Sequence, residues 1–168
     1  MSIDGDGSRL EIEAQVRGFG ERLRSYRRQA GLSQLALADR AGVDLAAVSF
    51  LERAKRAPNL ATLVRVARAA GVSPAALIAE GSVPTTAAPE RRRRQRAPDD
   101  PLERFGANLR AARKSAGMSQ EMLAQTARLD RAAISIIERG GRSANLRTIL
   151  KLGRALKVAP EELLAGVE

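Results

Sequence analysis

The sequence predicts an all-α protein built from two similar units, and three observations support this. First, the segment from Phe19 to Glu80 recurs from Phe105 to Gly166 without insertion, at a constant offset of 86 positions. Roughly 28 of about 62 paired positions hold the same residue, which is typical of a duplicated structural unit. Second, the apolar residues are mainly Ala, Leu, Val and Ile, and aromatic residues make up only 2% of the chain. Third, apolar residues recur at helical spacing between capping residues and glycines.

The predicted helix boundaries of the first repeat follow from its caps. Ser33 and Asp44 have the short polar side chains that favour the N-caps of helices two and three. Asn59 opens helix four in the same way, and Ser73, followed by proline, opens a short helix five. The second repeat follows the same plan, and residues 160–162 are predicted to open its last helix.

The repeats divide the chain into four parts. Residues 1–17 are predicted to form either a short helix or a frayed tail. The two folded units are expected over residues 18–80 and 104–168. Residues 81–103 between them are rich in proline and arginine, which predicts a flexible basic linker. Such a linker has a root-mean-square span of ~27 Å and can extend to ~80 Å.

Composition restricts the classes of function. A net charge of +10, from 29 basic and 19 acidic residues, favours an anionic partner. The chain has no Cys and no His, so thiolate chemistry, the usual zinc ligands and the commonest general base are missing. No nucleophile–base pair, glycine-rich phosphate loop or small-molecule site is evident, and no apolar run approaches the ~20 residues of a membrane span. We therefore expect a cytoplasmic protein that is not an enzyme, with no catalytic residue, metal or cofactor.

Two consecutive helices in each repeat are joined by a turn at Gly42-Val43 or Arg128-Leu129, which is the spacing of a helix-turn-helix motif. In the first repeat helix two opens with Leu-Ser-Gln and helix three contains Val-Ser-x-x-Glu-Arg, and the second repeat has Met-Ser-Gln and Ile-Ser-x-x-Glu-Arg at the same positions. In these features the chain resembles the Cro/repressor-like (XRE) DNA-binding family over both repeats, roughly three-quarters of its length. The resemblance implies two tandem five-helix, lambda-repressor-like domains and double-stranded DNA as the partner. It also implies that the second helix crosses the DNA backbone and the third enters the major groove.

The resemblance assigns a DNA contact to the glutamine that opens helix two, which is Gln34 or Gln120. The N-terminus of a helix presents free N–H groups and a partial positive charge to phosphate. The alternative is that this glutamine only starts the helix.

Base-reading positions fall on the third helix of each repeat. In the first repeat they are Leu45, Ala46, Ser49 and Phe50, and in the second Arg131, Ala132, Ser135 and Ile136. Arg131 is the one long hydrogen-bonding side chain, able to bind a guanine edge through two bonds, unless it reaches only phosphate. Leu45 offers at most a weakly discriminating contact with a thymine methyl group. Phe50 and Ile136 are apolar, whereas the family commonly has a long polar residue at this position. The alternative to base reading for these two side chains is a contact in the core or with a second copy in a dimer. The second repeat is therefore the better candidate for reading sequence.

Basic and polar residues end the third helix and line the following loop in each repeat. They are Arg53, Lys55 and Arg56 in the first copy and Arg139, Arg142 and Asn145 in the second. They suit phosphate contacts, and the alternative is a solvated basic loop. The run Arg91 to Arg96 can be interpreted in three ways. It is a solvated tether, an arm that binds phosphate or the minor groove, or a localisation signal.

The acidic residues Glu52 and Glu138 lie next to these positive charges. The resemblance implies that each pairs with an arginine of the first helix, Arg27 or Arg113. We interpret these pairs as structural, because an Arg fork matches a carboxylate in geometry.

The leading hypothesis is a sequence-specific transcriptional regulator, associated with the nucleoid, that carries two unlike helix-turn-helix units on one chain. The linker would let both units reach half-sites ~34 Å apart on one duplex. The alternative is a protein-interaction or antitoxin-type accessory module in which one or both units, above all the first, no longer read bases and bind a partner protein or a second copy. The orientation of the half-sites is left open by the sequence.

Overall fold

The computed structural model describes residues 4–80 and 100–168, and the regular structure within these ranges is entirely helical. The first repeat forms five α-helices: α1 (Asp4–Gln29), α2 (Gln34–Ala41), α3 (Leu45–Glu52), α4 (Leu60–Ala70) and α5 (Pro74–Ile78). The second forms four and a short 3-10 turn: α6 (Pro101–Ser115), α7 (Gln120–Ala127), α8 (Arg131–Glu138), α9 (Leu146–Leu156) and the turn Glu162–Leu164. The predicted all-α class is confirmed. None of the helices in this part of the chain is long and apolar enough to cross a membrane. The arginine run Arg91 to Arg96 lies outside the described residues.

Side-chain caps define most of the helix starts. The Ser33 hydroxyl accepts a hydrogen bond from the backbone of α2, and the Asn59 amide oxygen accepts one from α4. The equivalent residues cap α7 and α9 in the second repeat. Asp44 and Asp130 occupy the N-cap positions of α3 and α8, but their side chains accept no capping bond. The recognition helices of the predicted motif are therefore held by packing more than by their caps.

The last element differs between the repeats. Ser73 caps α5 by accepting a hydrogen bond from Ala76 N at 3.2 Å. Its counterpart is Ala159, which has no side-chain acceptor, and residues 160–162 do not open an α-helix as the sequence predicts. Instead, a 3-10 turn over Glu162–Leu164 closes the second repeat. The loss of one N-cap accounts for the difference, because such a cap contributes about 1 kcal/mol.

The N-terminal residues extend the first helix. Residues 4–17, predicted as a short helix or a frayed tail, form the first half of the 26-residue helix α1. Ile12 and Val16 precede the repeat but are buried, and they continue the apolar face that Phe19 and Leu23 begin. Because spacings of three and four residues stay on one face of a helix, α1 runs without a break.

The two repeats dock through a reciprocal pair of backbone hydrogen bonds. Leu60 N donates to the carbonyl of Ala144, and Leu146 N donates to the carbonyl of Pro58, both at 2.8 Å. Between them, Asn59 and its counterpart in the second repeat form an isolated antiparallel bridge. Each bond becomes the other when the repeats are exchanged, which is the property of an interface with two-fold symmetry. The repeats are thus related by a pseudo-two-fold axis at this point.

Helix packing across the interface follows the same symmetry. Helix α1 contacts α9, its equivalent α6 contacts α4, and α5 contacts the 3-10 turn. The buried apolar side chains of both repeats belong to one continuous core. The repeats therefore form one body within the described residues, although the sequence predicted two units on a flexible linker.

Two ion pairs join α1 to α9 across this interface. Glu13 on α1 accepts hydrogen bonds from Arg147 on α9 at 2.8 and 3.0 Å, and these bonds lower the pKa of Glu13. Glu11 pairs with Arg154, about two helical turns further along α9. The counterpart of Glu11 in the second repeat is Ala97, which has no carboxylate, and the structure describes helix α6 from Pro101 onward. The side chains of the Glu11–Arg154 pair are exposed and those of the Glu13–Arg147 pair are half-buried, so the pairs orient α1 on α9 more than they stabilise the fold.

Glycine lets helix α1 approach the end of α3 closely. A Cβ atom on Gly20 would lie 2.6 Å from the carbonyl oxygen of Leu51 and 2.9 Å from that of Glu52. Gly106 is equivalent in the second repeat, where a Cβ atom would lie 2.6 Å from the carbonyl oxygen of Ile137. Because the opposing atoms are backbone, neither contact can be relieved by a rotamer change.

We expect Gly20→Ala to lower the free energy of unfolding by about 2–3 kcal/mol, although alanine is the better helix former. The matched control is Gly7→Ala in the same helix, where the new methyl group meets no atom within 4 Å. That variant should be neutral or more stable by up to about 1 kcal/mol. Urea denaturation followed by circular dichroism measures both. Equal effects of the two substitutions would contradict the close approach of α1 and α3.

Candidate nucleic-acid interface

The turn between the two helices of each motif contains a residue in the left-handed conformation. It is Gly42 in the first repeat, with φ 58°, and Arg128 in the second, with φ 52°. The side chain of Arg65 donates to the carbonyl of Ala41 at 2.7 Å, and a Cβ atom on Gly42 would lie 2.7 Å from its guanidinium. In the second repeat Lys151 replaces Arg65. Glycine therefore leaves room for the arginine over the turn, whereas the second repeat has Arg128 in the same left-handed conformation.

Helix α3 exposes one face and buries the other. At 100° per residue, an arc of about 140° is occupied by Leu45, Ala46, Ser49, Phe50 and Arg53. Val48 and Leu51 lie on the opposite side and are buried. On the outer arc the exposed fractions are 46% for Leu45 and 41% for Phe50. Phe50 therefore does not turn into the core, which was one of the two alternatives for it.

The polar groups on the outer face of α3 are bound to one another. A guanidinium nitrogen of Arg53 donates to the hydroxyl of Ser49 at 2.5 Å, and its Nε donates to the carbonyl of the same residue at 3.2 Å. The guanidinium carbon also lies 5.8 Å from the ring centre of Phe50, within the range of a cation–π contact. The side chains that remain unpaired on this face, Leu45 and Ala46 among them, are apolar.

Helix α8 presents a different outer face. Arg131 is its first residue, is exposed, and makes no hydrogen bond or ion pair with any described part of the chain. Ala132 is exposed next to it, and Ser135 is half-buried, with its carbonyl accepting from Arg139 Nε at 3.2 Å. Ile136 is half-buried and packs towards the loop that follows the helix. Within the described residues, Arg131 of α8 therefore has an unpaired guanidinium at the position where α3 has Leu45.

The predicted loop residues border the junction between the repeats. Lys55, Arg56 and Arg142 are exposed in the loops that lead directly into the paired residues 58–60 and 144–146. Asn145 differs from them, because its side chain caps α9 and its backbone belongs to the bridge between the repeats. Of the predicted loop contacts, Asn145 therefore has an evident structural role.

A buried carboxylate joins three helices in the first repeat. Glu52, at the end of α3, accepts hydrogen bonds from Arg27 of α1 at 2.5 and 3.1 Å. It accepts a third from the amide of Gln34, the first residue of α2, at 2.8 Å. Arg27 also donates to the carbonyl of Leu32 at 2.7 Å, and Arg24 lies 3.5 Å from the carboxylate.

The second repeat repeats this arrangement closely. Glu138 accepts from Arg113 at 2.6 and 3.1 Å and from Gln120 at 2.8 Å. The structure therefore contains both pairs that the family resemblance implied, and it adds a glutamine to each. Sequence reasoning did not anticipate this bond. The one feature of the sequence that could have indicated it is that glutamine and glutamate are 18 residues apart in both copies.

Burial alone would raise the pKa of Glu52, but hydrogen bonds from Arg27 and Gln34 outweigh it, so the pKa lies below its ordinary value of 4.5. Burial likewise would raise the pKa of Glu138, but the hydrogen bonds from Arg113 and Gln120 outweigh it, so this pKa is also lowered. A carboxyl group whose pKa is lowered on folding stabilises the protein above its unfolded-state pKa. That stabilisation is lost as the pH falls through the lowered value.

We expect Glu52→Gln to lower the free energy of unfolding at pH 7 by about 2–4 kcal/mol, because it leaves a buried guanidinium without its counter-charge. The difference from the unmodified chain should narrow between about pH 5 and pH 3, as the native carboxylate is itself protonated. Glu121→Gln, which removes an exposed carboxylate on α7, is the control and should change stability little. Urea denaturation across this pH range provides the measurement. A deficit of constant size at all pH values would argue against a stabilising carboxylate at Glu52.

Comparison with known proteins identifies the family. A family model described as Helix-turn-helix matches residues 23–77 and again residues 109–163, together more than half of the chain. The control protein C.BamHI from Bacillus amyloliquefaciens is 48% identical over 61 residues, which cover 36% of this chain and 75% of that protein. The crystal structure of the restriction-modification controller protein C.AhdI from Aeromonas hydrophila is 47% identical, with a TM-score of 0.37, and the match covers 37% of this chain and 94% of that one.

Both matched ranges contain the paired helices, the left-handed turn and the buried glutamate described above. The helix-turn-helix is a motif that binds DNA through its second helix. The chain therefore belongs to the helix-turn-helix family of Cro/repressor-like (XRE) DNA-binding transcriptional regulators, with two copies of the family domain.

Proposed function

We propose that the two helix-turn-helix units bind one DNA duplex together, at two unlike half-sites in inverted orientation. The observation that carries this is the reciprocal hydrogen bonding between residues 58–60 and 144–146. It defines a pseudo-two-fold axis that relates α3 to α8. Regulators with two-fold symmetry bind inverted half-sites, because the DNA site mirrors the symmetry of the protein. Direct repeats would require units related by translation.

The charge distribution supports binding to the DNA backbone on both sides of this axis. Lys55 and Arg56 follow α3, and Arg142 follows α8, all in exposed loops next to the junction. Phosphate contacts from such loops fix the position of a domain and account for most of the salt dependence of binding. Gln34 and Gln120 lie at helix N-termini. Each side-chain amide donates one hydrogen bond to a glutamate, and its remaining N–H would reach a phosphate.

The half-sites are unlike because the outer faces of α3 and α8 are unlike. Arg131 has a free guanidinium at the front of α8, and two parallel hydrogen bonds from such a group recognise guanine in the major groove. Its counterpart Leu45 has no hydrogen-bonding group. We infer that the second unit supplies most of the hydrogen-bonded base recognition.

One observation favours a second candidate function for the first unit. Leu45 and Phe50 are exposed apolar residues on α3, and such residues also occur at protein interfaces. In that case the first unit would bind a partner protein or a second copy, as in an accessory or antitoxin-type protein. DNA binding by the second unit would remain.

The names of the relatives suggest the first promoters to test. C.BamHI is a control protein, and C.AhdI is described as a restriction-modification controller. We propose that this chain regulates transcription in the same biological setting, and that promoters of restriction–modification genes are the first targets to examine. Such a regulator would act on the DNA of the nucleoid.

Selection of duplexes from a random pool by the full-length chain tests the arrangement. We expect a recovered site of two different half-sites in inverted orientation, bound by one chain per duplex. Re-arranging the same half-sites as a direct repeat should weaken binding at least about tenfold, since only one unit can then dock. Gel-shift titration and mass photometry measure affinity and stoichiometry. Equal affinity for direct and inverted arrangements would rule out the two-fold model.

Arg131→Ala should reduce affinity for the selected site by about 10- to 100-fold and relax the preference for one base pair in one half-site. Arg142→Ala is the matched control, because it removes an exposed arginine from the loop after the same helix. It should weaken binding to all sequences alike and reduce the salt dependence by about one ion. Fluorescence anisotropy at two salt concentrations separates these results. A uniform loss with Arg131→Ala would assign that residue to phosphate instead.

A further inference from the structure

We infer that the first unit reads thymine bases in its half-site, through contacts of Leu45, Ala46 and Phe50 with the 5-methyl group in the major groove. The inference deepens the proposed function and rests on it, because it requires α3 to lie in the groove. It assigns a recognition chemistry to the unit that lacks a long free polar side chain.

The first step is the geometry of α3. Leu45, Ala46 and Phe50 lie on its outer arc, and all three are exposed in the described structure. The pseudo-two-fold axis gives this arc the same orientation as the arc of α8 that carries Arg131. If α8 faces base edges, α3 does too. Its apolar side chains would then lose water on contact with an apolar group, which is favourable.

The second step concerns the hydrogen bonds already formed on this face. Ser49 and Arg53 are the polar residues of the outer arc, and they are bound to each other. The guanidinium of Arg53 also lies over the ring of Phe50, at 5.8 Å from its centre. The Ser49 hydroxyl and the remaining N–H groups of Arg53 can still donate, but the other three residues of the arc, Leu45, Ala46 and Phe50, offer only apolar atoms to the groove. Of the four bases, thymine alone presents an apolar group there, its 5-methyl.

The third step concerns the choice of DNA over protein as the occupant of this face. Arg53, Lys55 and Arg56 follow the apolar residues directly and are exposed. A rim of positive charge next to a small apolar face is complementary to a groove floor with methyl groups between two phosphate backbones. A protein partner would need acidic residues at matching positions to pair with this rim. Every DNA duplex already has negatively charged phosphates on both sides of the groove.

Deoxyuridine substitution tests the inference with the full-length chain and the duplex recovered by selection. Uracil keeps the pairing and the O4 acceptor of thymine and lacks only the methyl group. We expect replacement of thymine in the half-site bound by the first unit to weaken binding about fourfold per contacted methyl group, the factor for burying one such group. The same replacement in the other half-site should change affinity by less than about twofold, because recognition there depends mainly on Arg131. At the sensitive positions, 5-methylcytosine should bind more tightly than cytosine by a similar factor.

Two variants connect the effect to α3. Leu45→Ala and Phe50→Ala should each bind the thymine and uracil duplexes with more nearly equal affinity. Leu10→Ala is the control, because it shortens an exposed leucine on α1 outside the motif. It should retain the full preference for thymine. Arg131→Ala should also retain it while losing affinity overall, since the two units read separate half-sites.

The outcomes separate this inference from the function on which it rests. If no duplex is bound more tightly than random DNA, the proposed function fails and the inference fails with it. If a selected site is bound and depends on Arg131, but uracil and thymine bind equally in both half-sites, only the inference is overturned. The apolar face of α3 is then assigned to a protein contact.

Discussion

A single buried carboxylate fixes the orientation of the recognition helix in each repeat. Glu52 sits at the C-terminal end of α3, where the helix dipole disfavours a negative charge, and Arg27 and Gln34 offset this with three hydrogen bonds. These bonds join α1, α2 and α3 at one point. Since α1 also contacts α9 across the interface, the angle of α3 relative to the pseudo-two-fold axis depends on the same contact. Glu138 has the equivalent position in the second repeat.

The ion pair acts together with a steric constraint at the same place. Gly20 allows the backbone of α1 to touch the last carbonyl groups of α3, which sets the distance between the helices. The bidentate arginine then sets the rotation, because a planar guanidinium meets a carboxylate in a narrow range of orientations. Distance and rotation are thereby fixed by different atoms. Both features occur in both copies, while the outer faces of the recognition helices have diverged.

The parts of the structure that the sequence predicts correctly are local or repeated. The helix starts at Ser33 and Asn59 follow from residue types, whereas the two arginine–glutamate pairs were implied by the family resemblance. The docking of the repeats was not predicted, because the bonds of residues 58–60 with 144–146 join distant backbone groups and leave no pattern in the side chains. The glutamate contact of Gln34 was missed for a related reason. In the sequence, a glutamine at a helix start is explained by a phosphate contact as well as by a bond within the protein. Gln34 lies next to Glu52 only after folding.

The reciprocal docking has a consequence for how DNA occupancy depends on protein concentration. A regulator assembled from two identical subunits must first form its dimer, so occupancy at low concentration rises with roughly the square of the monomer concentration. Here both halves belong to one chain and are already joined by backbone hydrogen bonds and a shared core. If both units bind one duplex as proposed, no monomer–dimer equilibrium need precede binding, and occupancy of a single site would follow the first power of concentration. Such a regulator responds gradually from the first molecules synthesised, without a threshold.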